Sequence, residues 1–211
     1  MSWNSIWRLD PEIRASWLRA RRVLIATIGP DREELIHSER VAALCERVAL
    51  RMGAPREVLH DCVVGALLHD LGKVVVPNDV LERPGALSER EYELVKAHPS
   101  VGAEILRSFP DLARFAHVVE RHHERLDGSG YPLGLRGEAI DPASRIVAAA
   151  DVFDALTSAR PYRAAMPLGR ALTVLRIEAD LGRLDAEVFA EIADIFTEAS
   201  PPARDFGYDA A

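Results

Sequence analysis

Apolar residues recur along this chain at spacings of three and four, and no stretch alternates confidently in the manner of a strand. That periodicity predicts amphipathic helices. In the first, Asp10 is an N-cap and Pro11 opens the first turn. Ile13, Trp17, Leu24 and Ile28 line one face, and Gly29-Pro30 ends it. The second spans 31–53, with Asp31 and Glu34 as a capping pair, a stripe of Val41, Leu44, Val48 and Met52, and Gly53 as its stop. Pro55 opens a third, which runs through Val58, Cys62, Val63, Ala66 and Leu67 to His69. Residues 74–87, with Pro77, Asn78-Asp79 and Pro84-Gly85, read as a loop. Two short helices follow, one from Ser88 (with Glu91 at the capping-box position) to His98-Pro99, the other over 100–108. A helix over 111–123 and a glycine-containing loop over 133–140 come next. Asp141-Pro142 then starts a helix carrying Ile146, Val147, Ala150, Phe153 and Leu156, closed by Arg160-Pro161-Tyr162-Arg163. Amphipathic helices over 167–181 and 185–197 precede a tail rich in Pro, Ala and Asp that is expected to fray. The expected fold class is all-α: a single domain of about nine helices over 31–199, a helical extension over 1–30 and a flexible tail over 200–211.

Composition narrows what such a bundle can do. With 211 residues, 48% of them hydrophobic, the chain can bury one substantial core. A net charge of −7 argues against a nucleic-acid polymer as partner, because a long polyanion needs a broad basic surface. A small phosphorylated ligand needs only a few local cations and stays in play. Cys45 and Cys62 lie in apolar helical runs, as buried reduced core residues do. No apolar run approaches the ~20 residues needed to span a bilayer, and no signal-peptide pattern opens the chain, so a soluble cytoplasmic location with no membrane contact is expected. Trp3, Trp7 and Trp17 crowd the first 29 residues. Their stripe is expected to pack on the core, with a homodimer contact through this helix as the other use.

The histidines change the picture more. Five of the seven, His37, His69, His98, His122 and His123, fall at helix ends or beside acidic residues; His60 and His117 are rotated away and read as structural or exposed. Adjacent helical residues point about 100° apart. His122 and His123 therefore reach one ion only where the backbone leaves the helix, and Gly128-Ser129-Gly130 supplies such a turn. Glu33 and His37, four apart, share a face. His69-Asp70 ends a very apolar helix, and Asp151 interrupts another; a buried carboxylate there is costly unless paired or bound to metal. Glu33, Asp70 and Asp151 bring the candidate ligands to eight, too many for one ion. Mixed imidazole and carboxylate sets suit iron, manganese or zinc, and two or three such ions sharing bridging groups serve in-line displacement at phosphorus.

In these blocks the sequence resembles the HD-GYP subfamily of HD-domain phosphohydrolases, bacterial enzymes that degrade cyclic di-GMP. His69-Asp70-Leu71-Gly72-Lys73 stands for HD-x-G-K, and His122-His123-Glu124 through Gly130-Tyr131-Pro132 for HHE-x-x-DGSGYP. Asp151 through Thr157 with Arg160-Pro161-Tyr162-Arg163 stands for the DVFDALTS-x-RPYR block. The likeness runs over about 31–197. It implies an HD-type helical domain and two or three divalent ions, iron or manganese first. His37, His69, Asp70 and Asp151 would hold one ion, and His98, His122 and His123 a second bridged by Asp70. Glu33 would be the added ligand of three-metal members; Glu34 also faces the site by spacing, but the family register favours Glu33. Lys73, Arg160 and Arg163 would hold phosphates, and Tyr131 would line the substrate cleft. The implied reaction is attack of a metal-bridging hydroxide on cyclic di-GMP, giving pGpG, with GMP after a second cut. Asp70 and Lys73 are the expected catalytic residues. Nothing in the sequence fixes the base, so another cyclic dinucleotide such as cyclic GMP-AMP is the second enzyme reading. A third is a scaffold whose GYP loop contacts a diguanylate cyclase; eight intact ligands argue against it.

Overall fold

The structure is a computed structural model that describes residues 10–29, 32–81, 83, 85–159 and 164–198. Among these residues all regular structure is helical. The α-helices are α1 (Pro11–Ile28), α2 (Arg32–Arg51), α3 (Arg56–Leu68), α4 (Asn78–Leu81), α5 (Glu89–Lys96), α6 (His98–Arg107), α7 (Ala116–Arg121), α8 (Pro142–Thr157), α9 (Leu168–Asp180) and α10 (Ala186–Thr197). Three-residue-per-turn segments occupy Leu71–Val75, Ala113–Phe115 and Gly137–Ala139. None of the described helices is long and apolar enough to cross a membrane.

The expected all-α bundle is present, and its start signals work as capping chemistry. Asp10 accepts from the Glu12 N–H, Asp141 from that of Ser144, and Asp185 from Glu187 and Val188, while Ser88 and Glu91 form a reciprocal capping box. The proposed cap Asp31 lies outside the described residues. Two boundaries differ from expectation. The stretch 74–87 is not all loop: Pro77 starts a single turn, α4, which buried Val80 pins to the body. His98 opens α6 rather than ending α5, with Pro99 next to it at a position where a missing N–H costs nothing.

The core is continuous. α2 packs along α3, and α8 lies against both. Ile13, Trp17, Ala20 and Leu24 of α1 are buried in the same cluster as Val41, Val48, Leu67, Phe115, Ile146 and Ile192. The α1 stripe is therefore spent on the main core, against α3 and the Leu71–Val75 turn. Trp3 and Trp7 lie outside the described residues. Cys45 and Cys62 are buried and unlinked, as expected.

One close approach positions everything that follows. The turn after His69-Asp70 lies directly on α6, and a Cβ at Gly72 would overlap the His98 carbonyl oxygen and the backbone nitrogen of Gly102. Only hydrogen fits between these two backbones. Gly72→Ala is expected to cost about 2 kcal/mol or more, since overpacking against backbone has no side chain to push aside. Urea denaturation should show a lower midpoint with an unchanged slope, and metal binding should weaken in parallel because His98 and Asp70 are forced apart.

Candidate metal centre

Five elements of the bundle meet at one buried point. α2 sends in His37. The C-cap of α3 is His69, followed by Asp70 and by Lys73 in the next turn. His98 opens α6, His122 and His123 follow the last residue of α7, and α8 supplies Asp151. His37 Nε2 lies 3.3 Å from His69 Nε2 and 3.3 Å from Asp151 Oδ1. Asp70 Oδ2 is 3.1 Å from His69 Nε2 and 3.7 Å from His37 Nε2. The other Asp70 oxygen, Oδ1, is 3.2 Å from His98 Nε2, which is itself 3.2 Å from His122 Nε2. Two groups result, each able to hold a cation: His37, His69 and Asp70 on one side, His98, His122 and His123 on the other. Asp151 borders the first, and Asp70 turns one oxygen to each.

The ring tautomers decide what these contacts mean. His69 Nδ1 lies 2.7 Å from the Ala66 carbonyl, His98 Nδ1 2.6 Å from that of Val95, and His122 Nδ1 2.7 Å from that of Val119. A carbonyl only accepts, so each Nδ1 carries the proton and donates it. Each ring therefore turns Nε2 inward, the atom that a neutral imidazole offers to a metal. The Nε2 atoms of His98 and His122 face each other at 3.2 Å. A cation between them would satisfy both. The donor set thus fits divalent metal.

The electrostatics divide the centre in two. Burial works against charge on His37, but hydrogen bonds to Asp151 and Asp154 outweigh it and raise its pKa. At His69 burial is likewise overcome, by Asp70 and Asp151. His122 shows the opposite balance: burial and the neighbouring imidazoles push it well down, and burial pushes His123 down to about 3. Both stay neutral, the form that binds metal. Burial alone would raise Asp70 and Asp151, yet the adjacent histidines, joined by Lys73 at Asp70, hold both carboxyls well below the usual range.

Lys73 donates to Asp70 and reaches Glu34 Oε1 at 3.5 Å. Burial first, and the charge of Asp70 second, push the Glu34 carboxyl up to about 7. Glu33 is exposed and belongs to neither ligand group. Glu34 thus reaches the centre through Lys73. Spacing could not separate the two glutamates, because i+3 and i+4 from a helical residue share a face. Arg160 and Arg163 lie outside the described residues.

Two features of the site had gone unassigned. Asp154 accepts from His37 Nδ1 at 2.7 Å and is gripped by Arg40 through Nε at 2.6 Å and Nη2 at 2.8 Å. The available signal was register: Asp154 is three residues after Asp151, and Arg40 three after His37, so the two pairs face each other where α2 packs on α8. The second is Glu124, which is buried and accepts from the N–H groups of Leu133 at 2.6 Å, Gly134 at 3.2 Å and Leu135 at 2.9 Å. It folds the glycine-rich loop back over the centre. Gly130 is needed there because a Cβ would strike the Glu124–Arg125 backbone. Tyr131 then stacks its ring 4.8 Å from that of His123. His60 and His117 stay outside both groups, His60 buried against Phe115 and His117 beside Asp61 and Asp141.

A helical bundle that seats His-Asp at the end of one helix, with further histidines converging on it, defines a class, and the sequence places the chain within it. The chain belongs to the HD domain family, whose model matches residues 24–188. It is 44% identical over 153 residues to the 3′3′-cGAMP-specific phosphodiesterase 1 of Vibrio cholerae, a match that covers 72% of this chain and 36% of that protein. It is 47% identical over 150 residues to the cyclic di-GMP phosphodiesterase response regulator RpfG of Xanthomonas campestris pv. campestris, covering 69% of this chain and 39% of RpfG. The chain thus spans under two fifths of the length of these two relatives. Among solved structures its fold is similar to that of Bd1817, an HDGYP protein from Bdellovibrio bacteriovorus, with a TM-score of 0.67 at 23% identity over 88% of this chain and 61% of the other.

Asp154→Asn keeps the size of the side chain but removes the charge that orients His37. Loss of such a carboxylate behind a ligating histidine typically weakens metal binding 10–100-fold, so a drop of about that size is expected. Competition with a fluorescent chelator measures it, while an unchanged far-UV circular dichroism spectrum separates the effect from unfolding.

Proposed function

We propose that this chain is a metal-dependent phosphodiesterase of the HD-GYP kind, acting in the cytoplasm on cyclic di-GMP and releasing pGpG, with GMP as the product of a second cut. The observation that carries this reading is Asp70. Its two oxygens face two separate histidine groups, 3.1 Å from His69 on one side and 3.2 Å from His98 on the other. That is the arrangement of a carboxylate shared by two cations. The relatives named as cyclic di-GMP phosphodiesterases support the substrate.

His37, His69, Asp70 and Asp151 would hold one ion, and His98, His122, His123 and Asp70 the other. Iron and manganese suit such mixed nitrogen and oxygen donors. When bound, a pair of divalent cations supplies Lewis acidity and lowers the pKa of water toward neutrality. The chain's own groups do the rest. Lys73, held by Asp70 and Glu34, presents fixed positive charge for the oxygens of the phosphoryl group. Tyr131, seated on His123, walls the cleft beside the second histidine group. Arg160 and Arg163 would add charge-assisted bonds to phosphate. We count two ions, one for each histidine group, and Glu33, which is exposed, is the carboxylate that a third would use.

The test is purified protein loaded with Mn²⁺ or Fe²⁺ and given cyclic di-GMP or cyclic GMP-AMP, with products resolved by chromatography. The expected outcome is pGpG from cyclic di-GMP. The similarity to the Vibrio cholerae enzyme makes faster turnover of cyclic GMP-AMP the outcome that would replace the substrate but keep the chemistry. Asp70→Ala is expected to abolish cleavage of either compound and to lower metal content, read by plasma mass spectrometry. Wild-type turnover at full metal occupancy in that variant would sink the two-metal reading. Glu33→Ala is expected to hold as much metal as the parent, and a loss of one ion in that variant would restore the third site.

A further inference from the structure

Beside the second histidine group an aromatic ladder leaves the centre and climbs onto α5. The ring of His123 meets that of Tyr131 at 4.8 Å, the planes 37° apart. The Lys96 ammonium lies 5.7 Å from the Tyr131 ring centroid and 5.5 Å from that of Tyr92. Tyr92 and Lys96 are one helical turn apart on α5, and Lys96 lies two residues before His98. A tyrosine and a lysine at that spacing are common on solvated helices. Here, though, a second tyrosine, from the folded-back loop, meets the same ammonium. Glu124 holds that loop through three backbone N–H groups, so the meeting is built rather than incidental. Tyr92 remains 48% exposed, which leaves ring surface for a ligand.

We infer that Tyr92, Lys96 and Tyr131 form a nucleobase subsite selective for guanine. The inference rests on the phosphodiesterase reading above, which puts a phosphodiester at the histidine groups and hence a nucleoside beside them. Aromatic rings accept any base through stacking. Lysine discriminates, because an ammonium only donates. Guanine offers it two adjacent acceptors, O6 and N7, whereas adenine offers N7 next to an amino donor that repels it. One Lys96 donor is spent on Glu93 at 2.9 Å, and an ammonium has three.

The test compares the parent with Tyr92→Ala, Tyr92→Phe and Lys96→Met, using cyclic di-GMP, cyclic di-AMP and methyl p-nitrophenyl phosphate, which has no base. Tyr92→Ala and Lys96→Met are expected to raise KM for cyclic di-GMP about tenfold or more, with a much smaller change in kcat. Lys96→Met should also narrow the preference for cyclic di-GMP over cyclic di-AMP, and Tyr92→Phe should behave as the parent. An unchanged KM in both variants, or an equal loss with methyl p-nitrophenyl phosphate, would overturn the subsite. Failure of the parent to cut cyclic di-GMP would overturn the substrate reading separately. In that event calorimetry with GMP and AMP still decides: a GMP preference lost in Lys96→Met upholds the subsite, and equal affinities in the parent overturn it.

Discussion

The Asp70 carboxylate, shared between two sets of imidazoles in the heart of the bundle, is the constraint around which the rest of the molecule is arranged. The residue is 3% exposed, and burying a charge at such a point is prohibitive without close partners. Its partners come from separate elements: His69 from its own chain neighbour, His98 from α6, Lys73 from the following turn. Each must arrive with the right nitrogen inward. The turn bearing Asp70 therefore has to touch α6, and Gly72 and Gly102 allow it.

Helix ends solve the orientation problem. The last turn of an α-helix has carbonyls without intrahelical partners. His69, His98 and His122 each follow a helix by one or two residues and donate Nδ1–H to a carbonyl three residues back. One local motif, used three times, commits three Nδ1 atoms and turns three Nε2 atoms inward. His37 lies inside α2, where the carbonyls are engaged, and so it requires the side chain of Asp154 and, behind it, Arg40. The two cation groups differ in consequence. The one at His37 has carboxylates on several sides, which raise its imidazoles toward protonation in the absence of metal. The one at His122 and His123 is neutral nitrogen, with Asp70 as its share of negative charge.

This division also explains what could be read from the sequence. Caps and apolar spacing gave the helices, because those are local: Ser88 with Glu91, Asp141 before Pro142, and the stripe from Ile13 to Leu24 that joined the core. The ligands stood out because histidine and aspartate in apolar runs demand an explanation. Less visible were residues whose role depends on a neighbour far away in the chain. Asp154 meets His37 across 117 positions, and its place one turn after Asp151 announces the pairing only once α2 is known to pack on α8. Glu33 and Glu34 both fit by spacing, and only the packing of Lys73 against α2 favours the second. The short turn at Asn78–Leu81 was missed because its stability comes from one buried valine and not from a periodic pattern.

Glu124 ties the loop to the centre. It follows two histidines that face the centre. The structure commits it elsewhere: its oxygens are filled by three backbone N–H groups of the loop. A carboxylate satisfied by amides has little left for a cation. What it provides is geometry, since the same bonds press Gly130 against the Glu124–Arg125 backbone and carry Tyr131 onto His123. The glycine-rich loop is thus built into one unit with the second histidine group. One continuous piece of chain, from His122 to Pro132, therefore supplies two rings of the second histidine group and the Tyr131 ring beside them.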